Sequence, residues 1–490
     1  MKPAPSRDAP RRRRRALAVA AAVGLGTALT TPSLALAHGF GGGRTDLPIS
    51  KTLFIYAAAL VLILSFVALA VLWPRPKLAR YRFIALPVLV SRVLLSRPIA
   101  VLCGAIGVFL LALTMYAGLT GVQTSSANFA PTFVYVIFWL GLVPVSVLFG
   151  DVFRAFNPWR AIGRAVAWVA QTAARGSIPA PLAYPERLGR WPAAAGVFAF
   201  AVLELVRSGG DAPDTVAIAA LVYSATTFVG MVLYGVEAWC DRGEAFGVVF
   251  NLLSKISPVE RRDGRLGLRP PLAGLAKLEP LPGTVALIAV LIGSTSFDGG
   301  AESSLWTGLA PQIADAFESI GFSPEKALET AFLIGLAATV ALVFGFYRLG
   351  IAGAAQVGND LTAERLKGAF AHSLVPIAFA YVAAHYLSFL VFQGQAMWFL
   401  ASNPLGEQGV DIFGTADRPI DYSVIGASFT QYAQVFFVLV GHVAALALAH
   451  DRALELYERP KQAVLSQYWM LVVMVGFTTF ALVLLLQSNG

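Results

Sequence analysis

Five histidines occur in the chain, and four of them fall on two apolar segments near its C-terminal end. In the first, Tyr381, His385 and Ser388 recur at i, i+4 and i+7 and so share one helical face. In the second, Gln431, Gln434 and His442 lie within one stripe, with His442 about three turns from Gln431. An ionisable side chain inside lipid costs at least ~2.5–3.5 kcal/mol by insertion scales, so each is a functional candidate. Imidazoles there can transfer protons, hold a divalent transition metal such as Zn or Cu, or bond a neighbouring helix. His372 and His450 fall near the opposite ends of the same two segments at matching depths, so the expectation is that they snorkel to the interface, with direct contact between them as the alternative.

Acids complete the set. Asp298 sits beside Gly299 and Gly300 at the exit of another apolar run and is assigned to the same polar pocket, as is Gln393. Glu204, Asp151 and Glu237 lie within or at the ends of other runs. Pro144 and Pro376 fall inside apolar runs and predict kinks. Counted at 1.5 Å per residue from the Arg-poor side, His385 lies ~10 Å deep and His442 ~20 Å deep. They line one shaft more readily than they share one ion.

The elements that must carry these residues are membrane spans. The chain of 490 residues is 57% hydrophobic and only 13% charged, against about 25% charged in a soluble domain. Ten apolar runs start near Leu53, Pro98, Pro131, Trp191, Thr215, Gly283, Ala327, Ala369, Phe429 and Tyr468. Each is about long enough to cross the hydrocarbon core as a helix. The connections between them alternate between Arg/Lys-rich and Arg/Lys-poor, so every basic one falls on a single side, the cytoplasm by the positive-inside rule. The net charge of +9 is therefore topogenic, and no nucleic-acid motif accompanies it. The fold expected is all-α, a polytopic membrane helix bundle of about ten transmembrane helices after a cleaved signal peptide.

That peptide spans residues 1–37: Arg11–Arg15 form a positive block, Ala16–Leu29 an apolar core, and Ala35-Leu36-Ala37 a cleavage site. Residues 38–52 make an extracytoplasmic segment and residues 53–490 the bundle, with both mature termini outside. Cleavage leaves His38 first, whose α-amine and imidazole together suit Cu(II). Cys103 and Cys240 belong to no CxxC and read as packing residues. Between Asp298 and Lys326, Leu305, Trp306, Leu309, Ile313, Phe317 and Ile320 recur at helical spacing, as for a helix lying on the outer interface. A faint echo links Asp151 with Ala155-Phe156 to Asp241 with Ala245-Phe246. No HExxH, P-loop, GxGxxG before a helix or GxSxG elbow is present, which argues against ATP hydrolysis and serine-esterase chemistry.

Several segments resemble a group of bacterial, largely actinobacterial, multi-pass membrane proteins labelled fenitrothion hydrolase. They are Ala37-His38-Gly39-Phe40-Gly41-Gly42, Asp46-Leu47-Pro48-Ile49, Phe149-Gly150-Asp151, and Phe156-Asn157-Pro158-Trp159-Arg160. Ser296-Phe297-Asp298-Gly299, Ala384-His385-Tyr386, Gln393-Gly394-Gln395, Gly441-His442 and Ala449-His450-Asp451-Arg452 are similar too. The resemblance implies hydrolysis of a phosphotriester; the partners expected are membrane lipid and a small-molecule substrate, with no nucleic acid. A metal-bound water would attack phosphorus, with His38, His385, His442 and Asp298 as the candidate ligands. The alternatives are a transporter relaying protons or metal through its intramembrane histidines, and a copper-handling protein using His38.

Overall fold

The computed structural model describes residues 51–174, 179–357 and 361–488. The signal peptide and His38 lie outside them. The helices that matter are α1 (Lys51–Leu72), α2 (Arg97–Thr120), α3 (Phe129–Phe149), α4 (Pro158–Ala173), α5 (Trp191–Leu205), α6 (Pro213–Tyr234) and α7 (Ala245–Ser254). They continue as α8 (Thr284–Ala301), α9 (Ser304–Glu318), α10 (Pro324–Ala354), α11 (Ala363–His385), α12 (Leu387–Ser402), α13 (Ala427–Leu456) and α14 (Pro460–Ser488). Among the described residues seven helices are long and apolar enough to cross a membrane: α2, α3, α6, α8, α10, α11 and α13. The chain is thus a helical, multi-pass membrane protein.

Side-chain size shows which surface meets lipid. On α2 the buried positions are Gly104, Gly107, Thr114, Ala117 and Gly118, while Val101, Leu102 and Phe109 point outward. Lipid is as apolar as leucine, so helices gain by packing small residues together and leaving large ones to the acyl chains. The approach is close. A Cβ on Gly107 would overlap the Phe156 carbonyl, and one on Gly118 would come within 2.7 Å of Ala217 Cβ.

At the centre stands α8, packed against α5, α10, α11 and α14. Its run Leu287-Ile288-Ala289-Val290-Leu291-Ile292 is buried on every side, as a helix apolar all round must be. It is the short sixth run of the sequence.

The two ends of the bundle differ. At one, Trp73 Nε1 and the Leu78 amide donate to Asp451 at 2.9 and 3.1 Å, Tyr81 Oη donates to Glu260, and Tyr457 Oη donates to the Ala354 carbonyl. There β1 (Ile84–Ala85), β2 (Val259–Arg262) and β3 (Arg265–Leu268) form a small antiparallel sheet in the order β1-β3-β2. These contacts gather the basic connections into one basic end. At the other, the Val122 amide donates to the Leu405 carbonyl, Asp214 N to Gln123, and Ser208 N to Glu329. The acidic connections meet at this Arg-poor end.

The Asp151/Asp241 echo has a counterpart in space. Each aspartate follows a pair of apolar helices and precedes a helix, α4 or α7, and the two turns face each other. Asn157, capping α4, donates to Glu244, capping α7, at 2.8 Å. Asp151 accepts from Asn251 at 2.7 Å, and Asp241 accepts from Arg154 and Arg160. α2 packs on α6, α4 on α2, and α7 on α5.

Two expectations change. Pro376 enters at the first turn of an α-helical stretch that follows a 3₁₀ segment, Ala371–Leu374. Its missing N–H is harmless there. The eighth apolar run also is not one helix. It breaks at Tyr386, where φ −97° and ψ 9° leave the α region, and restarts as α12.

Candidate functional site

The last turn of α8 carries Asp298 to the Arg-poor end, and the last residue of α11 is His385. The break at Tyr386 turns consecutive side chains, imidazole and phenol, onto the same acid. His385 Nε2 donates to Asp298 Oδ2 at 2.9 Å, and Tyr386 Oη donates to the same oxygen at 2.7 Å. The two rings meet edge to face at 4.5 Å. Gly299 lies beneath the imidazole, where a Cβ would come within 3.3 Å of Cε1 and Nδ1.

An ionised Asp298 places the His385 proton on Nε2, which leaves Nδ1 as a lone-pair base. The pair remains accessible, with His385 23% and Asp298 30% exposed. Glu204, in the last turn of α5, lies near Asp298 and Tyr386. An oriented base, its carboxylate and a phenol, with a further acid nearby, are groups that can do acid–base chemistry, and they gather at the Arg-poor end.

Of the residues singled out from sequence, Asp298 and His385 come together. His442 does not join them: its Nδ1 donates to the Val438 carbonyl at 2.7 Å, and its ring lies 6.3 Å from that of Tyr381, one turn inward of His385. Ser388 and Gln393 lie past the helix break, half-buried on α12. Gln434 is buried on α13 and Gln431 is half-buried one turn nearer the mouth. His372 and His450 do not bond each other. The first is hydrogen-bonded to the Ala369 carbonyl at 2.9 Å, and the second to the Trp73 carbonyl at 2.9 Å and to Gln467. Each ring finds a backbone carbonyl instead, and both are buried rather than snorkelling to the interface.

A metal site needs three or more converging ligands. Among the described residues no three His, Cys, Asp or Glu side chains converge in that way. Asp298 and His385 also spend their facing atoms on each other. The described residues therefore do not fit the metal centre that the resemblance implied, and His38 lies outside them.

Tyr386 and Glu204 were not assigned to the pocket from sequence. The signal for Glu204 was its position near the Arg-poor end of its run, level with Asp298. Tyr386 follows His385 directly, but continuous helical spacing would have turned it to a different face.

The chain matches no known protein family, curated protein or solved structure.

Proposed function

We propose that this is a cell-membrane protein of about ten spans behind a cleaved signal peptide, with its basic end in the cytoplasm. The Asp298–His385–Tyr386 site then opens to the outside and hydrolyses a small ester, for which a phosphotriester is the substrate class that the sequence resemblance suggests. One observation carries the reading: a single carboxylate oxygen holds both an accessible imidazole and a phenol at hydrogen-bond distance.

In the reaction, His385 Nδ1 takes a proton from water as the water oxygen bonds to phosphorus. The aryloxide departs with the electron pair of its P–O bond, and the imidazolium releases the proton to it. Asp298 fixes the tautomer and stabilises the imidazolium, the role an aspartate plays behind a catalytic histidine. A base held in this way contributes about 10²–10⁴-fold.

The test is turnover of a nitrophenyl phosphotriester by detergent-purified protein and by its Asp298→Asn and His385→Gln variants. Losses in kcat of at least about 10²-fold in both are expected. An inert wild type, or variants as fast as it, would remove the hydrolase. The transport reading draws on Gln434, Tyr381 and His442, which follow one another down the α11–α13 seam. Substrate flux in proteoliposomes without turnover would decide for it.

A further inference from the structure

Directly inward of the acid–base site, two polar side chains are sealed into the core with atoms left over. Tyr381 is 8% exposed and His442 0%. Tyr381 Oη and His442 Nε2 are both buried without a hydrogen-bond partner among the described residues. Leaving a buried polar atom unmade costs about 1–3 kcal/mol, and native structures carry few such atoms without a reason. Here two occur on facing helices whose rings are 6.3 Å apart.

The hydrogen-bonding needs of the two atoms are complementary. His442 Nδ1 donates to the Val438 carbonyl, so the neutral imidazole has its proton there and Nε2 is a bare acceptor that requires a donor. Tyr381 Oη is a donor that requires an acceptor. One molecule that accepts with its oxygen and donates with its own O–H satisfies both. The surroundings are apolar and close: Phe477 stacks on Tyr381 at 5.8 Å, and Gly441 brings α13 against α11 at Pro376 and Ala380.

We propose that Tyr381 and His442 hold one buried water between Oη and Nε2. The phenol donates to the water oxygen, and the water donates to the imidazole. A buried water takes two to four polar partners, and this pair supplies two. The inference does not depend on the hydrolytic reading, since it rests only on the unmatched atoms. It extends the polar interior one helical turn, ~6 Å for four residues, inward of His385.

A double-mutant cycle in purified protein tests it, using Tyr381→Phe, His442→Leu and the pair, with thermal midpoints as the readout. Phenylalanine removes a single oxygen and keeps the stack on Phe477. With a bridging water, Y381F lowers the midpoint, and the double variant loses less than the sum of the two single losses. In a dry pair Y381F deletes an unsatisfied hydroxyl, so a raised midpoint would overturn the proposal. Additive losses would overturn it too. A cryo-EM map that resolves other ordered waters should show density between Oη and Nε2, and empty space there would also refute it.

Discussion

The closeness of α11 and α13 sets the Tyr381–His442 pair, and it hangs on Gly441. A Cβ at that position would overlap Ala380 Cβ and stand 2.8 Å from the Pro376 carbonyl oxygen. The helices would have to separate by roughly 1 Å to restore ordinary contact, and overpacking of that kind costs about 1–3 kcal/mol. Against it, alanine gains about 1 kcal/mol over glycine in a helix interior. An overlap this deep, against both a side chain and a backbone oxygen, falls in the upper part of the overpacking range, about 2–3 kcal/mol. Gly441→Ala should therefore destabilise by about 1–2 kcal/mol net. Gly345, within α10, supplies the control, because nothing lies within 4 Å of its would-be Cβ. Gly345→Ala should be neutral or stabilising by up to about 1 kcal/mol. The same chemical change thus takes opposite signs at two helical glycines. Unfolding midpoints in one detergent, over a denaturant series, measure both. If Gly441→Ala matched or exceeded the wild type, the packing of α11 on α13 described above would be wrong.

Two further outcomes follow from the Arg-poor end. Asn128 is fully buried, donates to the Ala117 and Val122 carbonyls at 2.8 and 2.9 Å, and accepts from the Ala130 amide at 2.9 Å. Asn128→Ala should cost about 1–3 kcal/mol by stranding those groups, whereas exposed Gln408→Ala should be silent in the same melt. In the loop before α13, the Ser402 hydroxyl, and then the amides of Thr415, Ala416 and Gly414, hold the Asp411 carboxyl below the usual aspartate range. A depressed carboxylate stabilises its turn above its unfolded pKa, and that contribution is lost as pH falls through the folded one. Amide exchange at Thr415 and Ala416 should stay slow down to the ordinary aspartate range and quicken only below it. Quickening that begins above that range would contradict the hydrogen-bond pattern.

Much of this architecture is legible in the residues, and the gaps have physical causes. Apolar length marks the helices, and alternating charge marks the two ends, because both follow from the cost of burying polar groups in lipid. The ten residues of α7 are too few to read as a span, so this buried helix and the β2–β3 hairpin beyond it vanish into what looks like a basic loop. Asp298 is recognisable as a polar residue at the end of one apolar run, and His385 as one inside another. Their pairing is not, since periodicity assigns a residue to a face of its own helix and leaves the neighbouring helix open. Tyr386 illustrates the limit most sharply. Regular spacing carries it away from His385, and only the helix break returns it to the same carboxylate.

The central claim is that the Asp298–His385 mouth faces the cell exterior while the Arg-rich end stays inside. In a background lacking Cys103 and Cys240, single cysteines at exposed Gln408 and exposed Arg261 report on the two ends. With intact cells and a membrane-impermeant maleimide, Gln408→Cys should label fully, and Arg261→Cys should label only after lysis. Labelling of Arg261→Cys from outside, with Gln408→Cys protected, would invert the molecule and contradict the account.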